Sequence, residues 1–168
     1  MARYDFLDVA RLPDAMTPKQ QLEDCIKMFS AEVATLAREA LRTMRTLTPG
    51  ATELVYDNYN ALVIAFAPSE RASDAILSLA LYPRWVNLFF AHGATLPDPT
   101  KRLVGSGTRF RNVVLHAAAD LDEPAVRDLV AAALSRAKAP LDPTQKRKLV
   151  IKSVSEKRRE RRPKGAAK

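Results

Sequence analysis

The stretch Glu53–Ala67, ELVYDNYNALVIAFA, decides between a helix-built and a sheet-built core. Its two arms are rich in β-branched and aromatic residues and are separated by a turn. Between the arms stands Asn58-Tyr59-Asn60. Asparagine tolerates left-handed backbone, so this tripeptide reads as a hairpin turn. Strand alternation puts Val55, Asp57 and Tyr59 on one face and Leu54, Tyr56 and Asn58 on the other. An acid on a covered strand requires a donor, and Arg109 or Arg111 is the candidate. A second reading makes Asp57 and Tyr59 the lip of a binding site beside the turn.

More strands follow. AILSLALY and WVNLFFAH, joined tightly at Pro83-Arg84, are apolar on both alternations, as in the middle of a covered sheet. RFRNVVLH is a further strand. Before the strands, Thr17-Pro18 reads as an N-cap with proline at the first helical position, opening a helix to about Met28. Ser30 caps a second helix in which Val33, Leu36, Ala37, Ala40, Leu41, Met44 and Leu47 recur at three and four residues. Asp122-Glu123-Pro124 opens a third, with Val126, Leu129, Val130, Ala133 and Leu134 on one side. Helices, a consecutive run of strands and then a helix predict an α+β domain. A mostly antiparallel sheet of about five strands packs on two N-terminal helices and one C-terminal helix. The expected division is a leader over 1–16, the domain over 17–139 and a basic tail over 140–168. KLVIKSVS could add an edge strand at 148–155, followed by disorder.

The chain has 168 residues and a formal net charge of +8. From Gln145 onward there are 11 Lys/Arg and 2 acids, so residues 1–144 hold 27 − 11 = 16 bases and 19 − 2 = 17 acids. The basicity is a tail on a near-neutral body. Lys157, Arg158, Arg159, Arg161, Arg162 and Lys164 are its candidates for nucleic acid, although KRRERRPK contains no aromatic residue for stacking. One cysteine, Cys25, permits no internal disulfide and reads as a core thiol. Acids in MARYDFLDVARLPD interrupt what a secretory signal would keep apolar. The expectation is a cytoplasmic protein without a membrane span.

LVYDNYNALVIAF, LYPRWVNLFFAHGATLPDP and LVGSGTRFRNVVL resemble, in order and content, the YdhG-like bacterial domain of unknown function, over about Phe29 to Ala137. The resemblance implies a compact α+β fold with helices against an antiparallel sheet. It carries no catalytic residues. Some relatives are described as frataxin-like iron chaperones, so iron is the ligand the resemblance implies. Read directly, the second helix carries a basic stripe, Arg38, Arg42 and Arg45, with Glu32 and Glu39 isolated among its bases. A stripe of that sign predicts weak iron binding or none.

Enzyme signatures are missing. Gly105-Ser106-Gly107-Thr108 has neither the spacing nor the lysine of a P-loop, and Ser106 lies in no nucleophile elbow. His92 and His116 fall at strand ends without zinc-ligand spacing. No resident cofactor or metal is expected from the residues themselves. The constellation that points to a ligand is Gly105, Ser106, Gly107, Thr108, Arg109 and Arg111. Glycines can turn backbone N–H groups inward as an anion-binding nest, and two arginines on one strand face add forked donors. The plain alternative is a flexible turn followed by two solvated arginines. Three readings result: a non-catalytic domain binding a small anion or a partner, an iron chaperone, and a nucleic-acid- or ribosome-associated protein acting through its tail.

Overall fold

The computed structural model describes residues 15–165. Apart from Ala15 and Met16, the expected leader lies outside the described residues. The Thr17 hydroxyl accepts from the Gln20 N–H at 3.2 Å, and the Gln20 side chain accepts from the Thr17 N–H at 2.8 Å. This reciprocal capping box, with Pro18 at the first position, starts α1, Pro18–Lys27. Ser30 caps α2, Ala31–Leu47, by accepting from the Val33 N–H at 3.3 Å. After α2, Gly50 turns the chain at φ 76°. A Cβ at Gly50 would lie 1.8 Å from the Asp142 carbonyl oxygen, so only glycine lets the 142–143 segment cross here.

The strands are β1, Thr52–Asp57; β2, Leu62–Ala67; β3, Leu77–Leu81; β4, Val86–Phe90; β5, Arg111–Leu115; and β6, Lys148–Val154. The third helix, α3, spans Pro124–Ser135 with its proline in the first turn. The fold is α+β, and the sheet runs β5-β4-β3-β2-β1-β6. Every neighbouring pair is antiparallel except β1 and β6, which are parallel with a register shift between Val55 and Tyr56. The Asn58–Asn60 turn joins β1 to β2, and the Asn58 N–H donates to the Ala61 carbonyl at 2.9 Å. β5 begins at Arg111, two residues later than the sequence suggested, which leaves Arg109 in a turn. The argument that Arg109 and Arg111 share a strand face therefore lapses.

One alternation of the sheet faces the helices. Val55, Ile64, Leu79, Leu88 and Val113 stand side by side across five strands, with Leu62, Leu81, Val86 and Leu115 in one adjacent row and Phe66, Leu77 and Phe90 in the other. They pack with Leu22, Ile26 and Phe29 around α1, Val33, Ala37, Ala40, Leu41 and Met44 of α2, and Val126, Leu129 and Val130 of α3. The other face holds a small cluster, Leu54, Ala65 and Ala67, with Tyr56, Ala75 and Val150 against it. No helical side chain joins that cluster. The expectation that apolar residues on both alternations mean cover on both faces is thus met on the helix side, while the other face carries only this small cluster of its own side chains.

The expectation of disorder beyond Glu156 is corrected. Lys157–Gly165 runs back along the β1–β2 turn and the C-terminal end of α1, held by side chains that a composition argument treats only as charge.

Candidate functional site

Glu53 and Asp57 occupy the helix-facing alternation of β1 and are 0% and 2% exposed. Burying carboxylates is tolerable only with charged donors in good geometry. Each is clamped by two arginines. Arg45, in the last turn of α2, donates through Nε and Nη2 to Glu53 at 2.8 Å each, and Arg147 adds a bond at 3.0 Å. The hydrogen bond to Glu53 pushes the Arg45 pKa up. Asp57 accepts from Arg161 Nη2 at 2.9 Å and from Arg158 Nε. Its donors are therefore tail residues, and neither Arg109 nor Arg111 reaches it. Arg161 is itself 3% exposed, lies over the Phe29 ring at 5.3 Å, and donates to the carbonyls of Asn58 and Tyr59. Arg162 donates to the Phe29 and Lys27 carbonyls at 3.0 and 2.8 Å, where α1 ends. Cys25 Sγ donates to Asp57 at 3.8 Å. Burial pushes that thiol's pKa up, and the Asp57 carboxylate pushes the same way, as suits a packed thiol rather than a nucleophile.

This end of the sheet is a staple, and it is far from the glycine loop. β1 and β5 are separated by β2, β3 and β4. Four inter-strand steps of about 4.8 Å put the two strands roughly 19 Å apart. The candidate set Asp57, Tyr59, Gly105, Ser106, Gly107, Thr108, Arg109 and Arg111 is therefore not one site. Gly105–Phe110 is exposed throughout. Arg111 folds back so that its Nη1 donates to the Gly107 and Phe110 carbonyls, which ties the guanidinium to its own loop. Gly93 matters to this edge, because a Cβ there would stand 2.5 Å from Arg111 Cβ.

One loop arginine does meet other chemistry. Arg109 lines a cleft of about 380 Å³ between the end of α3, the turn after β4 and the turn before β3. Ile76, Leu96, Ala133 and Ala137 give it an apolar floor, and His92, Arg109, Arg136 and Lys138 bring nitrogen donors to its rim, with Asp74 the one acid. Arg136 donates to the Thr95 carbonyl at 2.9 Å, which fixes its guanidinium there without neutralising it. The Ser69 hydroxyl donates to Asp74 at 2.7 Å. Among the described residues no ion pair involves Arg109, Arg136 or Lys138. Sequence reasoning missed Arg136, Lys138 and His92. The one signal was the basic pair just after α3, whose partners come from segments distant in sequence.

The basic stripe of α2 is also revised. Arg38 pairs with Glu23 at 2.6 Å and Arg45 with Glu53, leaving Arg42 as its exposed member. Glu32 and Glu39 line an open groove with His116 and Trp85. Among the described residues, no three His, Cys, Asp or Glu side chains cluster as a metal site. No described helix is long and apolar enough to cross a membrane. Compared with known proteins, the chain matches no family model, no curated protein and no solved structure.

Proposed function

We propose that the protein is a non-catalytic binding domain whose ligand is a small amphiphilic anion, a carboxylate or phosphate monoester carrying an apolar group. The cleft at the end of α3 carries this reading, because it joins an apolar floor to three cationic side chains and a histidine. Its volume falls within the range of small-molecule sites, which typically pair apolar walls with a few polar groups that fix orientation. The apolar part of the ligand rests on Ile76, Leu96 and Ala133, and its anionic group meets Arg109 and Arg136. Asp74 on the same rim disfavours an anionic group on that side, so a singly headed anion is preferred to one charged at both ends.

The test is a titration followed by amide chemical shifts, using phenyl phosphate and hexanoate as probes and inorganic phosphate as the headgroup alone. Shifts confined to residues 92–96, 109 and 133–139, stronger for phenyl phosphate than for phosphate, are expected. Arg136→Ala should weaken binding about tenfold or more, the scale of one charge-assisted bond. Shifts elsewhere, or an unchanged affinity in Arg136→Ala and Arg109→Ala, would refute the assignment.

A further inference from the structure

The tail sequence holds no aromatic residue, but the fold supplies one. Tyr59, at the tip of the β1–β2 turn, is 55% exposed, and Asn58 and Asn60 beside it are also exposed. The Arg159 N–H donates to the Tyr59 carbonyl at 2.8 Å, and Arg161 Nη1 donates to the same oxygen at 3.3 Å. Only the Tyr59 backbone is used in these bonds. Arg158 and Arg161 are committed to Asp57, but Lys157, Arg159, Arg162 and Lys164 remain exposed on the segment they anchor. Arg162 binds carbonyl oxygens, which leave its charge intact. The acids on this segment are Glu156 and Glu160, both exposed, and Lys27 nearby is paired with Asp24 at 3.7 Å. Among the described residues none of these four cations is in an ion pair, and four cations against two acids leave a positive strip anchored to an exposed ring.

We infer that the Tyr59 turn and the docked Lys157–Lys164 segment form a binding surface for single-stranded nucleic acid, with a base stacked on Tyr59 and the backbone phosphates along the basic strip. Stacking on an aromatic ring is available to any unpaired base and to none inside a duplex, so the surface favours single strands with little sequence preference. Two arginines are spent holding the strip in place, which gives the remaining charges a fixed geometry that a free arm lacks. The surface is separate from the α3 cleft and stands whether or not that cleft takes an anion.

Fluorescence anisotropy with labelled oligo-dT and oligo-U, against a mixed-sequence duplex of equal length, tests the inference. The single strands should bind more tightly than the duplex at 50 mM salt. Tyr59→Ala should weaken single-strand binding by about 5- to 100-fold while leaving the slope of log K against log salt unchanged. Lys157→Ala with Arg159→Ala should lower that slope by about 1.4, from roughly 0.7 per phosphate contact. Thermal melts of both variants should match the wild type, since these side chains are exposed. Undetectable binding at low salt would overturn the inference. So would equal or tighter binding of the duplex, or wild-type affinity in Tyr59→Ala.

Discussion

Replacing Arg161 by alanine tests the staple most directly. Its guanidinium is 3% exposed and serves Asp57, which is 2% exposed, while also filling the turn carbonyls and covering the Phe29 ring. Removing one partner of a buried ion pair typically costs about 3–5 kcal/mol, because the remaining charge is left without compensation. Arg158 stays beside Asp57, so the lower end, about 3 kcal/mol, is expected. For a chain of this length that corresponds to a fall in Tm of roughly 6–12 °C. Urea unfolding followed by far-ultraviolet circular dichroism reads it as a lower midpoint with an unchanged m-value. Arg161→Lys should recover only part, since one ammonium cannot span Asp57 and two carbonyls. A double variant, Arg161→Met with Asp57→Leu, removes both charges and should regain most of the loss. A change under about 0.5 kcal/mol in Arg161→Ala, the scale of an ordinary surface substitution, would refute the staple.

Leu41→Ala should destabilise by about 2–5 kcal/mol, because Leu41 is 4% exposed between α2 and the sheet; a null result in the same urea assay would remove α2 from the core. Gly50→Ala should cost more than about 1 kcal/mol through its positive φ alone, with a further loss as the 142–143 backbone is pushed away. A wild-type melt would contradict that close approach. Cys25 should react with iodoacetamide at pH 8 more slowly than a free thiol, because its pKa is raised, and urea should abolish the difference. The raised pKa also sets a sign: the contribution is complete below the free-thiol value of about 8.5 and is lost as pH rises through the folded value. A Cys25→Ala variant should therefore flatten the alkaline fall of stability.

The helices and the strand segments were legible in the sequence because their signals are local. The Thr17 and Ser30 caps, the α2 periodicity and the Asn-Tyr-Asn turn each act over a few residues, and all appear where expected. Asp57 was legible as an acid in want of a donor. The donor's identity was not, because Arg161 is 104 residues away and its run looks like solvated charge. Alternation counted Arg109 as a strand residue because nothing local distinguishes a strand's first residue from the turn before it. The cleft was hidden for the same reason as the staple: Arg109, His92 and Arg136 meet only once the end of α3 lies against the turns after β4 and before β3.

The two clamped carboxylates also have a consequence in time. A ribosome delivers Asp57 well before Arg161, and 104 residues at about 5–20 per second take roughly five to twenty seconds. During that interval the β1–β2 hairpin can form, but Glu53 and Asp57 lack Arg147, Arg158 and Arg161. Glu53 already has Arg45, but Asp57 has neither of its donors, and an acid without a donor opposes edge-to-edge pairing with another nascent chain. Synthesis of residues 147–161 then supplies both the strand beside β1 and the remaining counter-charges. Until Arg158 and Arg161 emerge, Asp57 therefore stands at the end of β1 without either of the arginines that clamp it in the folded chain.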